Sequence, residues 1–459
     1  MLSYLIRRLL LMIPTLLGIT ILVFAVMASA PGGITAQSLT HGMDMKPAER
    51  KALEDYYNKR YGLDDPAPVQ YLRWLNNISP IGFTLTEEGD FDKFSLNKGS
   101  DLGQSFNYGR PVSDLIKERL PITLLLNVIT IPLIYIIAII IGVKAATDRG
   151  GRFDVASSVS MLGLWSVPSM LAGVLLIGFF ANTQHWLWFP TAGLSEREAL
   201  DMPFMPTGLS FLSVAKVFAG MFLGVALMVS LALWNQRMVR VVIAALVGAV
   251  LGWWMAISHP ELLLFNQILL PLLGALTLGL FALTEFPIFR IGGLGLFGAG
   301  IGLYLALNMI SEPLVRGFLF DRIWHLVLPV IVLSYGGFAF LAKLTRTSIL
   351  ENLQADYART ARAKGVSEND VLWKHVFRNS LIPLITVSAS LLPALLSGAI
   401  IVETIFSIDG MGKLAIDAVK GRDRELMLSI TFISGLLTLV GYLIADFLYT
   451  IVDPRVSYE

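Results

Sequence analysis

Apolar residues come in long unbroken blocks, and charged residues are confined to the stretches between them. Ten blocks hold no Asp, Glu, Lys or Arg and approach the roughly 20 residues that a helix needs to cross a bilayer. They are Leu9–Ala30, Leu120–Val143, Val155–Thr183, Val217–Gln236, Val241–Ser258, Leu262–Thr284, Ile291–Ser311, Leu326–Ala342, Ser380–Val402 and Leu426–Ala445. The pattern predicts ten membrane-spanning helices. Two are weaker: Ile291–Ser311 opens on a glycine-rich stretch that lowers helix propensity, and Leu326–Ala342 is short and extends over His325. The first block follows Arg7-Arg8 and ends on Ala28-Ser29-Ala30, as a cleavable signal would. Its 22 uncharged residues exceed a signal core of about 7–15. A retained signal-anchor helix is expected, and a mature N-terminus near Pro31 would contradict it.

Lys and Arg in short loops collect on the cytoplasmic side. Placing Arg7-Arg8 inside also puts inside Arg149 and Arg152, Arg237 and Arg240, Arg290, and the tail Asp453-Pro454-Arg455. The turns His259-Pro260-Glu261 and Ser311-Glu312-Pro313 fall outside and carry no Lys or Arg. One orientation fits every short loop, with an even number of spans. The external stretch 31–119 is too long for a turn. Within it Pro47–Tyr61 reads as a helix, with proline in its first turn and Gly62 beyond its end. Tyr56, Tyr57, Tyr61, Tyr71 and Trp74 argue for a small folded subdomain, and Trp186 and Trp188 suit an interfacial aromatic belt.

One charged segment, Leu341–Leu384, stands between two apolar blocks and falls inside with Lys343, Arg346, Arg359, Arg362, Lys364, Lys374 and Arg378. Asp356–Lys364 is helix-prone and Gly365 supplies a left-handed stop. Ser367 lies three residues before Asp370, the spacing that starts a second helix. There Leu372, Trp373, Val376 and Phe377 share one face, while Lys374 and Arg378 lie on the other. Such a helix–turn–helix can rest its apolar stripe on the membrane domain and offer polar residues to a soluble partner.

Composition agrees. The chain of 459 residues is 55% hydrophobic and 15% charged, with mean hydropathy +0.68, far from the roughly 25% charge of soluble domains. A net charge of +1 gives no argument for nucleic acid, and zero cysteines exclude thiolate chemistry. Gly412-Lys413 is followed by Leu414, with Ser407 where a phosphate-binding loop needs glycine, so ATP hydrolysis would lie on a partner. Neither a His-Glu-x-x-His pair nor a Gly-x-Ser-x-Gly elbow occurs. The five histidines form no helix-spaced metal pair, and no catalytic residue, cofactor or metal is expected. Asp446 is the nearest candidate for an ion-coupling carboxylate, although a helix-end role is the simpler expectation. Asn127 and Asn182 could line a path or only bond between helices, and Pro132, Pro168, Pro329 and Pro393 are candidate kinks.

The stretch YARTARAKGVSENDVLWKHVFRNSLIPL resembles the coupling loop of inner-membrane permeases of ATP-binding-cassette importers, in the dipeptide, oligopeptide and nickel group. LIRRLLLMIPTLLGITILVF, APGG at 30–33, YGLDDP at 61–66, DLGQSF at 101–106, RPVSDLIKERLPITL at 110–124, VETIFSIDGMGKL at 402–414 and the terminal DPR support it. RFDVASS at 152–158 and WKHVFRN at 373–379 point to the Yej-type subgroup, importers of larger peptides and peptide-nucleotide antibiotics. The resemblance implies an all-α polytopic membrane protein with a type I permease core of six spans and both termini cytoplasmic, in the bacterial inner membrane. It also implies a second permease subunit, two ATPase subunits and an extracytoplasmic substrate-binding protein. The family's loop signature of Glu-Ala-Ala, three residues, then Gly falls on Arg359-Thr360-Ala361 and Gly365, and its later positions on His375 and Arg378. Asp356, Arg362, Trp373 and Phe377 complete the expected ATPase-coupling set, with Arg359 and Arg362 facing the ATPase and Trp373 with Phe377 as anchors.

Two features depart from that family. Four candidate spans lie between about 207 and 310, where the family has a short connection. Arg422-Asp423-Arg424-Glu425 stands where the family has Arg-Asp-Tyr-Pro, which leaves that outer loop contact open. The expected organisation is a first span at 1–30, an extracytoplasmic subdomain at 31–119, and spans two and three with an outer loop at 120–206. A four-span insert at 207–310 and a C-terminal core at 311–459 follow, with its coupling loop at 343–378. The expected function is the permease of an ATP-driven importer, with peptides as cargo. An ion-coupled transporter or channel without an ATPase is the alternative, and a transport fold serving only as a scaffold is a third.

Overall fold

The computed structural model of the chain describes residues 2–29, 46–61, 65–85, 91–182, 188–208, 210–258, 264–284, 287–310 and 315–452. APGG at 30–33, residues 62–64, Trp186, the turns at 259–261 and 311–313, and DPR at 453–455 lie outside them. A helix lies over every apolar block, because backbone polar groups in lipid must be satisfied within the segment itself. In order these are α1 (Leu2–Ser29), α2 (Pro47–Tyr61), α3 (Ala67–Ile78), α4 (Val112–Thr147), α5 (Arg152–Ser166), α6 (Ser169–Phe180), α7 (Phe211–Ala232) and α8 (Arg237–Ser258). Then follow α9 (Leu264–Leu283), α10 (Pro287–Asn308), α11 (Gly317–Gln354), α12 (Asp356–Ala363), α13 (Phe377–Ile405), α14 (Met411–Lys420) and α15 (Arg424–Val452). Among the described residues seven helices are long and apolar enough to cross a membrane, or eight if one bent pair is a single span.

Three details go beyond the block pattern. Val155–Thr183 is not one straight span: α5 and α6 meet at 95° across Val167-Pro168. Pro168 has no N–H to give, and it pushes Val167 to extended geometry at φ −81°, ψ 123°. The all-α architecture carries one small addition: β1 (Gly82–Leu85) and β2 (Phe91–Ser95) form an antiparallel hairpin in which Phe83 pairs with Phe94. Finally, α11 runs unbroken to Gln354, so residues 343–354, the first part of the expected coupling loop, continue a 38-residue helix.

The chain divides into two compact units, 1–173 with 329–459, and 174–328. In the first, α1 and α15 run antiparallel. Arg8 and Asp446 pair at 3.2 Å at one end, so Asp446 is a helix-end carboxylate. At the other end Phe24 and Met27 meet Leu428 and the Tyr71 and Trp74 side chains of α3. The hydroxyls of Thr20 and Tyr71 are 2.9 Å apart.

The second unit holds two antiparallel pairs, α7 with α10 and α8 with α9. A Cβ on Gly224 would stand 2.0 Å from the Gly298 carbonyl oxygen, and one on Gly248 2.0 Å from that of Gly274. These glycines are spent on close backbone approach, the usual source of helix association in lipid, which explains why the glycine-rich α10 is helical. Arg240 is buried and donates to the carbonyls of Ala282 and Trp234, both at 2.8 Å. Thr207 and Val315 exchange backbone hydrogen bonds at 3.1 Å each, closing the base of the region.

Candidate functional site

The charged segment begins where Ala355 turns extended (φ −67°, ψ 152°) and ends α11. On α12, Ala358 and Ala361 are buried, while Asp356, Tyr357, Arg359 and Thr360 face out. Gly365 at φ +79° stops the helix. Its N–H donates to the Arg362 carbonyl at 2.9 Å and that of Val366 to Ala361 at 3.2 Å, the paired bonds of a Schellman cap. Ser367 starts the next turn, its hydroxyl accepting from the Asp370 N–H at 3.2 Å. Lys374, 2.7 Å from Asp370, and the Ser367 hydroxyl hold the Asp370 carboxyl below its ordinary value.

The second helix differs from the sequence expectation. Glu368–Asp370 leads into a π-helical turn, Val371–Val376, before α13. The wider turn rotates the buried face, so Val371 and Val376 are buried and Trp373 is 47% exposed. Trp373 lies against Phe377 with ring centroids 5.0 Å apart; Phe377 packs on the buried cluster with Val371 and Val376, and Trp373 does not. The two valines pack with Ala358 and Ala361 onto Val143 and Ala146 of α4 and Ile349 of α11. Arg362 is tied within the segment. Its guanidinium bonds Glu368 at 2.8 Å and the Leu353 carbonyl at 3.0 Å, fastening the turn while staying partly exposed. Arg359, His375 and Arg378 are exposed, and Arg359 lies 3.5 Å from Asp356. Nearby, Arg346 of α11 forms a two-pronged ion pair with the buried Asp154 of α5.

At the opposite end of the same unit stands a set of buried charges that the block pattern did not reveal. Glu403 of α13 accepts from the Thr123 hydroxyl at 2.7 Å and the Lys413 N–H at 2.9 Å, while Thr123 accepts from the Met411 N–H at 2.8 Å. Together they cap α14, whose positive end suits a carboxylate. At the edge of this set the exposed Asp409 binds Arg119 and Lys413, each at 2.9 Å; partial desolvation pushes its carboxyl up, but these bonds hold it below the ordinary value. Asp423 caps α15 through the Leu426 N–H at 3.2 Å and accepts from the Ser105 hydroxyl at 2.5 Å. Burial outweighs those bonds and raises its carboxyl. Arg424, 2% exposed, pairs with Glu425 and donates to Gln70 of α3 at 2.9 Å. Residues 422–425 thus bond within the chain, to Ser105 and Gln70. The sequence signal of this network was four charges in a row before an apolar block, and Glu403 directly after one.

These two ends, one a seated polar helix–turn–helix and the other a locked cap, are joined by membrane helices carrying no metal-ligand cluster among the described residues. The sequence matches the family of binding-protein-dependent transport system inner membrane components over residues 138–458, and its N-terminal companion over residues 1–127. It is 32% identical to the oligopeptide transport system permease protein AppB of Bacillus subtilis (strain 168), over all of both chains. It is 28% identical to the peptidoglycan transport system permease protein YejB of Agrobacterium fabrum, over 100% of this chain and 98% of that one. It is 26% identical to the inner membrane ABC transporter permease protein YejB of Escherichia coli O157:H7, over 100% and 99%. The fold, the ordered motifs and these full-length matches converge: the chain belongs to the binding-protein-dependent transport family, as a permease subunit of the inner membrane, of a kind that works with ATPase subunits, a binding protein and a partner permease.

Proposed function

We propose that this permease carries peptides inward and that residues 356–378 dock on an ATPase subunit and transmit its closure. The observation that carries the reading is the build of that segment. Its apolar side is fixed on α4 and α11, its turn is fastened by Gly365 and Arg362, and Tyr357, Arg359 and Thr360 are left outward. A segment held this firmly passes a push to the spans instead of absorbing it. The complex holds a second, different permease subunit and two ATPase subunits, with a loaded binding protein docking on the opposite end. Both termini are cytoplasmic, ten segments span the membrane, and 207–310 is an accessory region. The joined base at Thr207 and Val315 supports treating that region as separable. Peptide cargo rests on the relatives' names.

The chain has no cysteine, so one introduced thiol is unique. Thr360→Cys should crosslink to an ATPase subunit in native membranes, and Val419→Cys at the other end should not. A transporting complex in which Thr360→Cys never reaches an ATPase would refute the docking. A cognate binding protein loaded with sugar or metal chelate would refute the cargo.

A further inference from the structure

The buried face of α4 changes character along its length. Thr123, Asn127, Thr130, Ile134 and Ala138 recur at three- and four-residue spacing and are all buried, so they share one face. Its lower part is closed by packing: Ile134 and Ala138 lie against Leu341 and Ala342 of α11, and a Cβ on Gly337 would meet Ile134 at 2.7 Å. Its upper part is polar and incompletely bonded. Asn127, 2% exposed, donates its side-chain N–H to the Thr123 carbonyl at 2.9 Å. A carbonyl only accepts, so this bond fixes the amide orientation and leaves Oδ1 as the other atom. Asn127 Oδ1 has no hydrogen-bond partner, nor does the Oγ1 of Thr130, which is 0% exposed.

Thr130 is the more telling of the two. A threonine in a membrane helix ordinarily satisfies itself by bonding the carbonyl four residues back. Thr15, Thr20, Thr345, Thr404 and Thr438 all do so here, at 2.7–2.9 Å. Thr130 does not. Counting from the start of the apolar block at Leu120, it lies about 15 Å deep, close to the middle of a hydrocarbon core of about 30 Å. Polar atoms left unbonded at that depth disfavour the fold, and an apolar residue of the same size would serve packing better.

We propose that Asn127 and Thr130 form a hydrogen-bonding station on the translocation route, closed in this conformation and open to water and cargo in another. The free capacity is a carbonyl oxygen and a hydroxyl, so the matching ligand chemistry is an N–H donor, as a peptide's backbone amide or terminal ammonium supplies. Thr123 leads into the station from the capped end, where its hydroxyl is held by Glu403. The station rests on the peptide-importer reading for its cargo, but not for its accessibility.

The test uses the complete importer in membrane vesicles. Asn127→Cys and Thr130→Cys are treated with a charged, water-soluble methanethiosulfonate at rest, with ATP, and trapped with vanadate. Val128→Cys, on the exposed side of the same helix (67% exposed), is the lipid-facing control. The expected result is at least a tenfold faster reaction at 127 and 130 than at 128 in one nucleotide state, with protection in another. Equal, slow reaction at all three positions in every state would overturn the station. Thr130→Val and Asn127→Leu supply the second arm. Each should raise the KM for peptide uptake several-fold while the assembled complex is recovered at wild-type yield or better, since each removes an unbonded polar group. An unchanged KM in both would likewise overturn it. Blocking the peptide's amino terminus separates the two donors: a KM effect that persists assigns the backbone amide, and one that disappears assigns the ammonium. Failure of the wild-type complex to take up peptide with ATP would instead overturn the importer reading, and the labelling would still read the station.

Discussion

Gly365 forms the turn between the two halves of residues 356–378, the segment proposed to couple to an ATPase, and its replacement by alanine, asparagine or proline gives a graded test of that proposal. The residue sits at φ +79°, and a Cβ added there meets nothing within 4 Å. Alanine therefore pays only for the left-handed backbone, about 1 kcal/mol. Asparagine tolerates that region better and should cost a few tenths. Proline cannot adopt it and also removes the N–H that donates to Arg362 at 2.9 Å, so the turn should be lost at about 3 kcal/mol or more. Since about 1.4 kcal/mol is a factor of ten, alanine should leave the segment largely formed and proline should not. The assay is ATP hydrolysed per peptide taken up by the reconstituted importer, with hydrogen exchange over 356–376 read in parallel. Coupling should fall in the order glycine, asparagine, alanine, proline, while membrane insertion stays intact. A proline variant that couples as tightly as the parent would refute the reasoning.

Three further outcomes are expected. Arg424→Met strands the buried Glu425 carboxylate and should cost about 3–5 kcal/mol in a detergent melt, while adding Glu425→Gln should recover most of it; a single variant as stable as the double would count against the pair. Val376→Ala should loosen the coupling segment by about 2 kcal/mol, whereas Trp373→Ala should leave its stability nearly unchanged and weaken ATPase recovery on copurification; the reverse pattern would restore the tryptophan as the anchor. Because Lys374 and Ser367 lower the Asp370 carboxyl, the folded turn favours the ionised form. Its contribution is present above the unfolded value of about 3.9 and is lost as pH falls through the lower folded value. Amide exchange at 367–371 should accelerate over that acid range in the parent and show no such step in Asp370→Asn.

Where one stretch of chain decides its own structure, the sequence was enough. The helix Pro47–Tyr61 begins at its proline, and Gly365 and Ser367 stop and start helices through bonds to residues within six positions. What it concealed depends on distant partners or on geometry that hydropathy averages away. Pro168 was visible as a kink candidate, yet a right-angle bend needed the extended Val167 before it. The single extra residue in the π-helical turn leaves Val376 buried as the stripe implied but exchanges Trp373 for Val371, which a fixed 3.6-residue period cannot foresee. Glu403 bonds a threonine 280 residues earlier and Arg424 a glutamine 354 residues earlier, so neither charge had meaning within its own window. The glycines of α10 looked like a weakness of the helix and proved to be its interface.

The bridge between Thr207 and Val315 has a consequence for how such a chain changes over time. With the two ends of residues 208–314 already joined, the closure of that stretch is settled locally, and its length matters little: doubling a flexible loop costs only about 0.6 kcal/mol. The two antiparallel helix pairs also return the chain to the side it left. A helix pair can thus be added within this base, or the whole stretch reduced to a turn, in one genetic event, and the sidedness of every helix after Gly317 is preserved.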